Sequence, residues 1–592
     1  MRPIPHLPHP NPRLLRRVPA WLRWLRQRVR GSEFSFIALA IAAGMAAGLA
    51  TVVIGGIART MQHVLFGLPG EMRLSGAPGL SLPQLLVLPV GGAILVLFSW
   101  AVRARKRPLV DAVEANALHG GRMSKADSGV IAGQTMLSNG FGASVGLEAA
   151  YAQIGALFGS LAGRWLSLRR ADMRILVGAG AGGAIAAAFG APIAGAFYAF
   201  EIVIGAYTPA AIAPVAAAAL AGAQVAQRLG VVPYIVHVQP GPTIHTSGYI
   251  IYAGLATVCA LFGIAIMRAV GLVEGAARAR LPGWSRPVLG GLLLIPIAAF
   301  SPQVLSAGHS ALHIDMMSVL PVTFILGVLL AKSLASIVSL GFGFRGGLFF
   351  ASLFLGTLVG HLYANFLAWI VGVPILDPAN ASLVGMAALA VAIVGGPFTM
   401  AMLVLEATGN FSLTGAVLAA CLVSSTIVRE LFGYSFSTWR LHLRGETIKS
   451  ARDVGWTKSL TAGRMMRRGT AIAPAGITIA ELRHRFPLGA TSRVVLVGDD
   501  ERYAGIVATA AAFAEGVDLD APAGTLAHAT DTALSPDMDM SVVMKTFDAA
   551  ETDELAVLDA DARVLGIVTE AFVHRRYAEE LDKAQRALFG EQ

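Results

Sequence analysis

The residue with the clearest chemical potential is a lone acid, Glu148, inside the run 142–159, GASVGLEAAYAQIGALFG. Such a run reads as a membrane helix, where an unpaired carboxylate is expensive. Gly140, Gly142 and Gly146 favour a loop ahead of it, and the helical pattern starts at about Leu147. Glu148 therefore falls in the first turn of a helix, where unpaired backbone N–H groups and the positive dipole end favour negative charge. Within a membrane, a helix start of this kind is an anion site. The chemistry implied is competition, with the Glu148 carboxylate and a permeant anion contending for the same donors. The structural alternative is a buried glutamate satisfied by its neighbours. A cation-coupled carrier would need an acid cluster or a carbonyl-rich unwound site. An intramembrane enzyme would need HExxH, GxSxG or paired carboxylates, and the sequence has none of these, although it has histidines such as His6, His9 and His361.

The elements that must position this acid are membrane helices. The chain has 592 residues, 55% hydrophobic and 14% charged, with a mean hydropathy of +0.65. That composition defines a polytopic α-helical membrane protein. Apolar runs fill residues 34–435, with spans expected at 34–57 and 85–102 and with several segments too short or too broken to cross fully. The net charge of +10 is not a nucleic-acid signal, because many arginines sit in the first thirty residues and at helix ends. The positive-inside rule puts that segment, and the basic run 103–107, on the cytoplasmic side. Cys259 and Cys421 both lie in apolar runs and read as small core residues.

An internal repeat is legible. Ala191-Pro192 is followed nine residues after the proline by Glu201, and Gly396-Pro397 is followed in the same way by Glu406. The stretch GLEAAYAQIGALFG has a partner in GLFFASLFLGTLVG at 347–360, with Phe349 opposite Glu148. Two halves carrying the same elements in the same order indicate a duplication. Paired glycine-interrupted segments point to a transport site between the repeats. Glu201 and Glu406 read as structural acids bonded to backbone N–H groups of a neighbouring helix or loop. Lys332 and Arg345 flank the second break; they either add positive potential to an anion path or are ordinary snorkelling cations.

These motifs, in this order, resemble the CLC family of chloride channels and transporters. AAFGAPIAGAFYAFE is similar to the family's AFxAPLxGxLFxxEE, 344–360 resembles its GxFxP signature, and 435–441, SFSTWRL, resembles the run that ends its membrane domain. The resemblance implies a two-fold repeat with broken helices, a homodimer with one anion path per subunit, and Glu148 as the gate. The departures are specific. Leu147 and Ala150 replace a basic residue and a proline around Glu148. Leu109, counted back from the shared Ala-Leu, falls where the family's anion-touching serine would be, and Ser437 falls on the anion-touching tyrosine. Coordination is then expected from the backbone around Gly146, Leu147, Glu148, Ala149, Leu348 and Phe349, with Ser437 and Leu109 at the altered side-chain positions. Ile202 occupies the place of the inner proton acid of the coupled exchangers. The resemblance thus implies passive chloride conduction. The alternatives are chloride/proton antiport by the same fold, with protons as a second partner, or transport of another small anion. It also implies a bacterial inner membrane, with both termini cytoplasmic.

From Arg444 charged residues become common and β-like runs appear, VVLVGDD, AGIVATA and ELAVLDADARVLGIVTEA. This is a small α/β unit of two similar halves, each reading strand, acidic turn, then GIV. It resembles a tandem CBS pair. In such pairs an aspartate shortly after GIVT holds an adenine nucleotide; Ala511 and Phe572 stand at the expected positions, so no cofactor is expected and the unit reads as structural or dimer-stabilising, with a ligand sensor binding an adenine nucleotide as the alternative. The resulting division is a basic segment 1–32, membrane repeats 33–228 and 229–445, and the CBS-like domain 446–592.

Overall fold

The structure is a computed structural model that describes residues 26–29, 31–70, 72–102, 109–231, 246–317, 320–443, 460–576 and 579. Most of the arginine-rich first segment and the basic run 103–107 lie outside them. The chain divides into two compact units, Met1–Asp453 and Val454–Gln592.

The first unit is helical. In chain order we number α1 Glu33–Phe66, α2 Val87–Ala101, α3 Ala112–Leu118, α4 Lys125–Gly140, α5 Glu148–Trp165, α6 Arg170–Phe189, α7 Pro192–Tyr198 and α8 Pro209–Arg228. The second half continues with α9 Thr246–Arg280, α10 Arg286–Phe300, α11 His309–Met317, α12 Val322–Gly341, α13 Phe349–Val371, α14 Pro378–Val394, α15 Pro397–Thr408, α16 Phe411–Leu431 and α17 Phe436–His442. Among the described residues, eight helices are long and apolar enough to cross a membrane, and others such as α7, α14 and α15 are shorter. The first span runs well past residue 57, because a Ser32 cap opens it and the apolar, small-residue pattern continues to a left-handed Gly67.

The duplication is visible in the packing. Gly155 and Gly159 of α5 sit seven and eleven residues after Glu148; Gly356 and Gly360 of α13 sit at the same offsets from Phe349. A Cβ on Gly155 would strike the Gly180 carbonyl of α6, and one on Gly356 would strike the Gly385 carbonyl of α14. Helix association in lipid depends on such close backbone approach, and glycine alone permits it here. Cys259 and Cys421 are both free and buried in the core, as their apolar surroundings suggested.

The prolines opening α7 and α15 leave N–H groups that the other half satisfies. Glu201 accepts from Phe398 N at 3.1 Å, and from Thr399 N at 2.8 Å and Oγ1 at 2.6 Å. Glu406 accepts from Ile193 N and Ala194 N, each at 2.8 Å. Each acid thus caps the opposite repeat's helix, in accord with the structural role read from spacing. Glu406→Ala leaves two N–H groups unpaired in apolar surroundings, at about 1–3 kcal/mol each. A clear drop in the melting temperature of the purified protein is the expected result, with Glu406→Gln in between.

The second unit is α/β. Strand β1 (Ile472–Pro474) runs parallel to β2 (Arg493–Val497), which pairs antiparallel with β3 (Tyr503–Ala508); β4 (Glu554–Leu558) and β5 (Val564–Thr569) form an antiparallel pair. The two halves turn alike: Glu501 and Ala562 are both left-handed in the hairpins that precede the two GIV runs. Val495, Ile506, Ala556 and Ile567 form a shared apolar layer between the sheets. Phe572 is half-buried with the Arg575 guanidinium over its ring.

Candidate anion site

The starts of α5 and α13 meet. Gly146 N donates to Gly347 O at 2.9 Å, and Gly347 N donates to Gly146 O at 3.4 Å. Leu147 (φ −90°, ψ −7°) and Leu348 (φ −96°, ψ 9°) precede the two helices in nearly the same conformation, so both N-termini are delivered to one place. Neither helix start has a side-chain cap. Their leading N–H groups remain available to an anion.

Glu148 is the first residue of α5 and is buried. Its carboxylate folds back over Gly146, where a Cβ would strike it, and Oε2 lies towards Gly347. Among the described residues that oxygen has no hydrogen-bond partner. Glu148 and Leu147 line one cavity of about 130 Å³, together with Arg59, Arg73, Ser306 and His309. Ala149, Gly347, Leu348 and Phe349 line another of about 140 Å³, together with Ser437 and Ile202. The acid therefore stands where two cavities approach the paired helix starts from different sides.

Two other candidates look different in three dimensions. Leu109 is not among the residues lining either cavity; it precedes α3, whose cap Asp111 lies on the Ser437 cavity and accepts from Glu114 N at 2.8 Å. Ser437 does line the cavity, on α17, and Ile202 lies beside it and presents no ionisable group. Lys332 is no snorkelling cation. It is wholly buried, and its Nζ donates to Val304 O at 3.1 Å and Ser306 O at 2.8 Å. Ser306 in turn receives Gln62 and Asn139 and forms part of the Glu148 cavity wall. Arg345 lies on the Ser437 cavity.

Two further residues escaped the sequence reading. Tyr198 ends α7 and is followed by a π-helix, Ala199–Ile204, a geometry common at functional sites. Tyr198, before this change, and Ile202 and Val203, within the π-helix, all line the Ser437 cavity. His309 stacks on Phe350 at 3.7 Å beside the Glu148 cavity. Periodicity carries no signal for a π-turn, so only the motif's odd Phe-to-Tyr change marked Tyr198.

The fold and this double helix start define a CLC-type membrane protein. The voltage gated chloride channel family model matches residues 78–429, and the chain belongs to that family of anion transport proteins. It is 29% identical over 401 residues to a Ralstonia nicotianae protein described as chloride channel protein ClcB-like, covering 65% of this chain and 92% of that one. It is 28% identical over 371 residues to the voltage-gated ClC-type chloride channel ClcB of Escherichia coli, covering 61% and 86%. Among solved structures, a slow cyanobacterial Cl⁻/H⁺ antiporter matches with a TM-score of 0.60 at 22% identity, over 70% of this chain and 99% of that one. A eukaryotic CLC transporter matches at 0.59 and 16%, over 93% and 98%. A CLC-type fluoride/proton antiporter matches at 0.56 and 18%, over 67% and 96%. At these identities the structural matches speak to the fold.

Proposed function

We propose that this protein conducts a small anion, chloride first, through a path in which Glu148 is the gate. The observation that carries this reading is the bridged pair of uncapped helix starts, with one buried carboxylate lying over them between two cavities. As a carboxylate, Glu148 occupies the N–H donors; protonated or displaced, it leaves them to the anion. Coordination falls to the backbone around Gly146, Leu147, Glu148, Ala149, Leu348 and Phe349, with Ser437 at the second cavity. Ile202 supports passive conduction, since a hydrocarbon side chain passes no proton.

Proton-coupled exchange is the second reading. Asp111 favours it, because it puts a carboxyl on the Ser437 cavity close to the place that Ile202 leaves without one. Two of the matched structures are described as proton antiporters. In either case the unit is an integral protein of a bacterial inner membrane and a homodimer, with both termini cytoplasmic and a CBS-like, nucleotide-free tail following repeats divided near residue 228.

The test uses purified protein in chloride-loaded vesicles under an outward chloride gradient, with external pH recorded with and without a proton ionophore. Chloride efflux without proton uptake is the expected result. Proton uptake driven by chloride establishes the exchanger, and no anion flux at all removes both readings.

A further inference from the structure

The Ser437 cavity contains a hydroxyl that the anion path has not yet used. Tyr198 is 8% exposed, and its hydroxyl makes no hydrogen bond among the described residues. Its ring lies 6.1 Å from that of Phe349, the residue that opens α13. Phe349 is held in turn by Phe189 at 5.1 Å. Tyr198 is rigidly placed. The start of its helix is capped by Glu406 across the repeat, and its end is locked into the π-helix that carries Ile202 to the same wall.

A phenol O–H on a cavity wall with no protein partner is a donor open to whatever occupies the cavity. The nearby charges say what that occupant is. Helix α13 presents its N-terminus at Phe349, on the same cavity wall as Arg345; Arg440, also on that wall, lies 3.9 Å from Glu274. A helix N-terminus favours negative charge, so the acceptor is an anion, and a cavity of about 140 Å³ limits it to a small one.

We propose that the Tyr198 hydroxyl is a direct ligand of the transported anion in the Ser437 cavity. It supplies a phenolic donor on the same cavity as the shorter Ser437 hydroxyl. This inference rests on the anion-path reading above and adds a ligand to it. A hydrogen bond to a charged group contributes about 1.5–3 kcal/mol, roughly tenfold or more in affinity.

The experiment is chloride titration by calorimetry on the full-length protein in detergent, alongside its melting temperature. Tyr198→Phe removes only the oxygen. The dissociation constant for chloride is expected to rise about tenfold with the melting temperature preserved, and Tyr198→Phe/Ser437→Tyr, which returns a phenol to the facing wall, is expected to recover most of it. Wild-type affinity in Tyr198→Phe overturns the inference, as does a weakening that appears only with a lowered melting temperature, or a double variant no better than the single one. Absence of chloride binding in the wild type instead strikes the function proposed above.

Discussion

Glu148→Gln removes the pH dependence of anion flux and leaves the path open at neutral pH. The argument is electrostatic. Two helix starts converge on one point through the Gly146–Gly347 bridge, and both favour negative charge there. A carboxylate competes for that place; a carboxamide of the same size carries no charge and competes poorly. In the wild type, lowering the pH protonates the acid, removes its attraction to the N–H groups and frees the site, so flux rises as pH falls. Well above its pKa, the protonated fraction of a carboxyl grows about tenfold for each unit of acidification. Wild-type flux should follow that slope until it saturates, while the glutamine variant stays flat and high. Vesicle flux across a pH series distinguishes them. A variant that keeps the wild-type slope places the sensor elsewhere, with His309 beside the same cavity as the first candidate.

Lys332→Met weakens chloride binding and destabilises the protein, and the two effects can be separated. The Lys332 side chain is fully buried on α12, and its Nζ donates to the carbonyls of Val304 and of Ser306, the latter on the Glu148 cavity wall. Removing it leaves both carbonyls without their donor, at about 1–3 kcal/mol each. It also removes a buried basic group bonded to Ser306, which is part of the Glu148 cavity wall. At an effective dielectric of about 20, a unit charge about 10 Å away is worth on the order of 1–2 kcal/mol to an anion, or about tenfold in affinity. A lysine serving only the carbonyls would lower the melting temperature and leave the chloride dissociation constant of the folded fraction unchanged. A rise in that constant identifies Lys332 as the basic group of a site in which the residue next to Glu148 is the uncharged Leu147.

Sequence by itself determined a good deal. The lone acid after a glycine cluster, the Pro-to-Glu spacing repeated in two halves, and the matched runs around Glu148 and Phe349 are local patterns. Local patterns dictate where helices start, which faces are apolar and what repeats. The hairpins of the second unit were legible for the same reason, as alternating strands around acidic turns. The tertiary structure decided everything that depends on a partner far along the chain. Glu201 reaches an amide 198 residues away, and Glu406 one 212 residues away, because the repeats interlock. Lys332 is buried by a segment contributed from elsewhere. Asp111, the cap of α3, lines the Ser437 cavity, and only the packing around that cap shows it. Tyr198 and Ile202 line one cavity although the chain changes from α to π between them. Periodicity records which way a helix turns when its hydrogen bonds are regular. It cannot record a widened turn, or which of many distant N–H groups a buried carboxylate meets, because packing between elements sets both.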